Sequence, residues 1–309
     1  MNALHRTYTS APSALAYMLQ AFRPSPGWRS ERGCPDMRLT WRNYRVDPAA
    51  AAQLAAICGL DGASASTRGA ILFPQVTGFR LIMAMLTHAS WPLPIWNALQ
   101  VRNRITLHGP LRADEQYALE VRPSGWRVLA KGLEIDLHTI LMHEGQLRWE
   151  SVVTFYYRGR YGDATESGDS RSAPANSPAV DMENPSAEIV RWKVGDGHRR
   201  AFAKLTGDYN GLHQWDAYAR RMGFPAAFPH PQRVVGQALV HLPEADHAPL
   251  TLDLWIKGPV FFGCGLLLRH WPATGGAART FAVWLQGESR PALVGTLGGP
   301  TPAQVHGAG

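Results

Sequence analysis

The sequence predicts an α+β protein made of two similar halves, and three observations carry that prediction. A run rich in Pro, Ser and acidic residues, Gly162 to Ala187, lacks any periodic apolar face and divides the 309-residue chain. Each half holds one strongly apolar helical segment beside a Phe-Pro pair, and after each segment come four strand-like runs, the first leading into Gly-Pro. An apolar helix followed by four antiparallel strands hides its whole surface only when the sheet curls around it, and two such units would pack as a pseudo-dimer. The divisions are residues 1–161 for the first half, 162–187 for the linker and 188–309 for the second half.

In the first half, Asp47 reads as an N-cap with Pro48 at the first position of an Ala-rich helix ending near Cys58. Phe73-Pro74-Gln75-Val76 then leads into an apolar helix from Gly78 to Leu86, whose Phe79, Leu81, Ile82, Met83, Met85 and Leu86 are assigned to plain core. Strands follow at Val101–Leu111, Gln116–Arg122, Arg127–Thr139 and Leu147–Tyr157. In the second half, Phe228-Pro229-His230-Pro231 leads into a helix from Arg233 to Leu242 that carries the small residues Gly236 and Ala238. Its strands are Leu250–Val260, Phe261–Trp271, Arg279–Gln286 and Ala292–Leu297. Alternation with period two in Leu133–Thr139 and Thr251–Trp255 supports half-buried strands.

Composition narrows the function classes. With 45% apolar and 18% charged residues the chain has material for packed cores and no disordered or coiled-coil bias. The most apolar stretch, Gly69 to Leu86, is broken by Pro74, Gln75 and Arg80, so no membrane insertion is expected. The first 35 residues hold Arg6, Arg23, Arg29 and Arg32 and no continuous apolar signal core. Cys34, Cys58 and Cys264 form no CxxC pair, which disfavours a disulfide framework or structural zinc and fits a cytoplasmic protein. A net charge of +7 favours anionic partners, yet the basic residues are dispersed and no nucleic-acid motif accompanies them, so no nucleic-acid partner is expected. No G-x-S-x-G elbow and no G-x-G-x-x-G loop appear.

The segment with chemical potential is Leu205 to Phe224, LTGDYNGLHQWDAYARRMGF. Trp215, Tyr218, Ala219 and Met222 fall on one helical face and Gly223 reads as the C-terminal cap. Ahead of them a turn-forming run places Asp208 and His213 close together at the helix start, with Asn210 able to fix the pair. Such a pair suits general acid–base work on water, and helix N–H groups would hold Asp208 ionised. The same spacing equally serves a capping Asp208, a turn Asn210 and a surface His213. One Asp and one His fall short of a metal ligand set, and neither His230 nor His241 is placed by sequence to complete it, so no metal is expected. His138, His143, His241 and His247 stand without acidic companions at useful spacing.

The run GDYNGLH, Gly207 to His213, followed by DAYARRMGF, resembles the signature of the MaoC-like (R)-specific enoyl thioester hydratases and dehydratases, G-D-x-N-P-x-H with a downstream A-x-x-x-G-F. Leu254–Val260 is similar to that family's Phe-Lys-x-Pro strand, and the two-half layout is similar to its double-hotdog branch. The resemblance implies a double-hotdog hydro-lyase in which Asp208 and His213 activate water for syn addition to a trans-2-enoyl thioester, or run the reverse elimination. It implies Asn210 as a supporting group, a thioester carbonyl polarised by a backbone N–H at the start of the buried helix, and no cofactor beyond the coenzyme A or acyl carrier protein that carries the substrate.

Two departures stand out. Gly211 replaces the usual Pro, and Pro231 stands where the family commonly has Gly after His230; proline has no N–H, so Gln232 or a side chain must polarise the carbonyl. His230 either lines the site or flanks the helix as a structural residue. In the first half the position five after Asp47 is Ala52, so that half is expected to be degenerate, shaping an acyl tunnel and leaving one active site per chain. A non-catalytic acyl-thioester-binding double hotdog and a hotdog thioesterase are the alternatives, and a monomer or a homodimer is compatible with either.

Overall fold

The computed structural model describes residues 3–60, 64–164, 166–168, 176–180, 183–184, 186–243, 248–273 and 278–299. The first half runs β1 (Leu4–Tyr8), α1 (Ala14–Gln20), β2 (Met37–Tyr44), α2 (Pro48–Cys58), α3 (Ser64–Thr77), α4 (Phe79–Leu86), β3 (Ala98–Leu107), β4 (Tyr117–Leu129), β5 (Gly132–His143) and β6 (Gln146–Arg158). A two-residue β7 (Ser167–Gly168) and then β8 (Glu188–Lys193), α5 (Arg199–Thr206), α6 (Asp216–Arg221), α7 (Pro231–Leu239), β9 (Leu250–Ile256), β10 (Gly265–Pro272), β11 (Ala278–Leu285) and β12 (Leu293–Gly298) complete it. Within the expected linker, residues 165, 169–175, 181–182 and 185 lie outside the described set, as do residues 300–309 of the second half. The part of the linker in β7 pairs with β4 at Trp126 and Arg127.

The expected repeat is present in the strand order. In the first half it is β2-β4-β5-β6-β3 and in the second β8-β10-β11-β12-β9, so corresponding strands occupy corresponding places. The halves pack as the expected pseudo-dimer, and they do so edge to edge: β3 and β9 pair antiparallel from Arg102–Trp255 to Leu107–Leu250 and hydrogen-bond the halves into one continuous sheet. Pairing the two edges removes two rows of open N–H and C=O groups at once. The seam is pinned by Arg102, whose guanidinium meets the Asp253 carboxylate at 2.7 Å and lies 5.0 Å over the Trp255 ring. This is the double hotdog, with α3–α4 and α7 buried against the sheet.

Several boundaries differ from the sequence reading for physical reasons. The first-half helix begins well before Gly78: α3 runs through Pro74, and the break comes at Gly78, whose N–H returns to the Pro74 carbonyl at 2.9 Å. Pro231, by contrast, opens α7 at its first position, where its missing N–H costs nothing. The Phe-Pro pairs therefore sit at different points of their helices. Arg68–Leu86 has the length and apolarity to cross a membrane, and 72% of it is buried inside the protein as core. Residues Arg127–Leu129 belong to β4, because the hairpin turns at Ala130–Lys131 rather than before Arg127. Asp47 does cap α2, its carboxylate accepting the Ala49 N–H at 3.0 Å. In the short α6 only Ala219 is fully buried, while Trp215 and Met222 are exposed, so its face is narrower than its spacing implies. All three cysteines are free.

Candidate active site

The site is assembled by two loops. Helix α5 buries Phe202, Ala203, Leu205 and Thr206 and ends at Gly207, which adopts φ +75° and returns its N–H to the Ala203 carbonyl at 2.7 Å. A side chain there would also run into the Tyr17 hydroxyl, which donates to the Gly207 carbonyl at 2.5 Å from α1. The chain then turns outward. The Asp208 N–H donates to Thr206 Oγ1 at 3.0 Å, and Asn210 uses its side chain to cap a one-turn 3-10 helix, Gly211–His213, by accepting the Leu212 N–H at 3.1 Å. Gly211 packs beneath Tyr218, whose ring would lie 2.7 Å from an added Cβ, so the position that the family fills with Pro is closed to a side chain here.

The second loop carries His230 to the same place. The Phe228 N–H donates to the Leu212 carbonyl at 3.2 Å, and His213 Nδ1 bonds the Phe228 carbonyl at 2.8 Å. A carbonyl only accepts, so His213 carries its proton on Nδ1 and presents Nε2 as a lone pair. Asp216 secures the loop by accepting the Ala227 N–H at 3.0 Å.

Asp208 is 7% exposed and His230 6%. One oxygen of Asp208 accepts the Asn210 N–H at 3.0 Å; the other lies 3.1 Å from His230 Nε2 and 3.7 Å from His213 Nε2. His230 is thus the direct hydrogen-bond partner of Asp208, and it stacks on His213 with ring centroids 3.7 Å apart. Burial pushes the Asp208 carboxyl up, but the hydrogen bond and charge of His230, the charge of His213 and the Asn210 N–H outweigh it and hold the group well below the usual carboxylate range. Burial, reinforced by His230, pushes His213 down to about 4 against the opposing pull of Asp208. At neutral pH the arrangement is an ionised Asp208 beside a neutral His213.

All seven residues singled out in the sequence, Gly207, Asp208, Asn210, Gly211, His213, His230 and Gln232, lie in these two loops or the first turn of α7. The roles shift in detail. No helix N-terminus holds Asp208 ionised, and Asn210 contributes a backbone N–H rather than its amide. His230 brings the count of ligand atoms within 4.8 Å of one another to three, Asp208, His213 and His230, which is more than the sequence offered a metal. His241 is elsewhere, against Trp192. His138 does have an acidic companion: Glu150, from the neighbouring strand, bonds it at 2.8 Å and His108 at 2.9 Å, which pushes Glu150 down to about 2. His143 lies 3.9 Å from Glu115, and His247 is outside the described residues.

Asp208, His213 and His230 open onto a cavity of about 350 Å³ between the halves. Its walls are mostly apolar: Phe79, Met83, Leu86, Ile95 and Leu99 come from the first half and Phe224, Phe228 and Val260 from the second. Phe79, Met83 and Leu86 fall on one face of α4, so half of the residues assigned to plain core in that helix line the cavity, while Leu81, Ile82 and Met85 remain packed behind it. Gln232, 7% exposed, lines the same space and donates through Nε2 to Gln100 Oε1 at 2.9 Å. Tyr17, Gln75 and Gln100 are residues that the sequence reading did not place at the site, since all three reach it from the opposite half.

No protein-family model matches the chain. A 3-hydroxyacyl-thioester dehydratase X of Mycobacterium tuberculosis is 26% identical over 196 residues, which span 63% of this chain and 66% of that relative, slightly under two thirds of its length. The crystal structure of HtdX of Mycobacterium tuberculosis superposes with a TM-score of 0.67 at 21% identity, covering 84% of this chain and 98% of that one. A MaoC-like dehydratase from Phytophthora capsici gives a TM-score of 0.69 at 16% identity, covering 86% and 96%. The chain has the double-hotdog fold of the MaoC-like dehydratases, and its resemblance to the MaoC-like hydratase and dehydratase family, carried first by residues 205–224, extends through the sequence and the fold.

Proposed function

We propose that this protein catalyses the reversible syn hydration of trans-2-enoyl thioesters, equivalently the dehydration of (3R)-3-hydroxyacyl thioesters, with coenzyme A or acyl carrier protein as the thioester carrier. The observation that carries the reading is the pairing of an ionised Asp208 with the His213 Nε2 lone pair, 3.7 Å apart, at a largely apolar cavity. A similar relative named as a 3-hydroxyacyl-thioester dehydratase supports it, and the net charge of +7 suits either anionic carrier.

In the hydration direction a water donates hydrogen bonds to both Asp208 Oδ2 and His213 Nε2. As its oxygen bonds to C3, one of the two groups takes the proton, and electron density moves through C2 to the thioester oxygen. The proton is then delivered to C2 from the same side, giving syn addition. His230 is a positioning residue that holds Asp208 in place through its Nε2–H. Pro231 supplies no N–H to the developing oxyanion. Two donors on residues lining the cavity are candidates for that role: the Gln232 N–H, in the unpaired first turn of α7, and Gln100 Nε2, a buried donor without a protein partner whose Oε1 accepts from the Gln232 side chain.

Mixing the protein with trans-2-enoyl thioesters should bleach the enoyl-thioester absorbance, and Asp208→Asn should slow this by about 10²- to 10⁴-fold while leaving thioester binding intact. Pro231 motivates the non-catalytic binding reading; binding without bleaching by coenzyme A and carrier-protein substrates alike would establish it. Release of free thiol instead would point to a thioesterase.

A further inference from the structure

The first-half wall of the cavity is apolar apart from two amides, Gln100, which pairs with Gln232, and Gln75, which α3 contributes. This side chain is 2% exposed, lines the cavity, and belongs to a polar cluster in the core of the half that lacks a catalytic pair. Ser151 Oγ, on β6, lies 2.6 Å from Gln75 Oε1 and 2.8 Å from Asn103 Oδ1 on β3. Both Gln75 Nε2 and Asn103 Nδ2 are buried without a protein partner.

Elementary counting shows what this cluster lacks. The Ser151 hydroxyl has one proton and cannot donate to two carbonyl oxygens, so one amide turns its NH2 group toward Ser151. If Asn103 does so, Gln75 keeps a free N–H pair; if Gln75 does so, it keeps a free carbonyl oxygen. In both arrangements one end of the Gln75 amide, a residue that lines the cavity, is left without a protein partner. An unbranched alkyl chain beside it would leave that group desolvated and unpaired, whereas a hydroxyl both donates and accepts and so satisfies either arrangement.

We propose that Gln75 forms a specificity subsite, and that the acyl group bound here carries a hydroxyl oxygen in addition to the thioester and the reacting C3 oxygen. This rests on the reading of the cavity as an acyl-thioester site. The degenerate half then selects the substrate while the second half does the chemistry.

Calorimetric titration with saturated, unreactive acyl-coenzyme A and acyl-pantetheine thioesters tests it, each chain length being offered as the plain alkyl form and with one hydroxyl stepped along the chain. At one hydroxyl position wild-type protein should bind the hydroxylated ligand at least tenfold more tightly than its alkyl partner, a difference of about 1.4 kcal/mol. Gln75→Leu should lose that preference and bind the alkyl form more tightly, which also reports that the variant is folded; Gln75→Asn, one methylene shorter, should weaken the preference. If no hydroxyl position improves wild-type binding over the alkyl form, as expected when water serves the amide, the subsite is overturned. Bleaching of plain enoyl thioesters in that case leaves the hydratase reading standing. A hydroxyl preference without bleaching of any enoyl thioester overturns the hydratase reading alone, and no binding of any thioester overturns both.

Discussion

Replacing His213 with Gln should flatten the dependence of stability on pH, and the structure supplies the size of the effect. An unfolded chain protonates this histidine below about pH 6.5, whereas the folded chain does so only near pH 4, because burial and the neighbouring His230 resist the charge. Between those two values the unfolded state holds one proton more than the folded state, so stability rises with pH across the window and levels off above it. At ~1.4 kcal/mol per pH unit for one proton, the window from 6.5 to about 4 amounts to about 3 kcal/mol. The side chain is only 11% exposed, so solvent screening leaves most of this in place. Glutamine keeps an N–H donor for the Phe228 carbonyl and does not titrate. Urea unfolding of both proteins at half-unit steps from pH 4 to 7 should give a wild-type curve steeper by about one proton, with the curves parallel above pH 6.5. Parallel curves over the whole range would refute the argument that the fold keeps His213 neutral. The same group predicts that the acid limb of enoyl-thioester hydration falls near pH 4 rather than near 6.5.

Three other perturbations probe parts that hold the site. Tyr17→Phe removes the hydrogen bond to the Gly207 carbonyl and should cost about 1 kcal/mol in denaturant unfolding, with turnover falling more than thioester affinity because Asp208 follows directly in the chain. Arg102→Leu leaves Asp253 without its partner at the β3–β9 seam, where the two side chains are 10% and 14% exposed. A loss of about 3 kcal/mol is expected, at the lower end for a broken buried pair, and is read from the unfolding midpoint. Gln100→Leu removes a candidate oxyanion donor and should lower kcat by about tenfold or more with little change in KM; equal losses in binding and turnover would assign Gln100 to substrate binding instead.

The readable part of this protein was what depends on neighbours in sequence. The apolar periodicity of the core helices, the alternation along β5 and β9, the Asp47 cap and the turn run around Gly207 are short-range patterns, and each marked its element, although the first-half helix extends back to Ser64 and β5 begins later than expected. Asp208 and His213 stand five apart on one loop, so their proximity required no knowledge of the rest of the chain.

What depended on contacts between distant segments was not readable. His230 lies 17 residues beyond His213, and it meets Asp208 only because the Phe228 loop is hydrogen-bonded to the 3-10 turn. Tyr17, Gln75 and Gln100 reach the site from the other half, and helical periodicity cannot distinguish a Phe79 that faces a cavity from a Leu81 that faces the sheet. Local patterns were enough for the α+β class, the repeat of helix and strands, and the residues that can exchange a proton. The joining of the halves along β3 and β9, the histidine that bonds Asp208 and the walls that enclose the cavity came from the folded chain alone. Hydrogen bonding across β3 and β9 and burial between the halves join residues far apart in sequence, whereas periodicity, capping and turn chemistry act over a few residues.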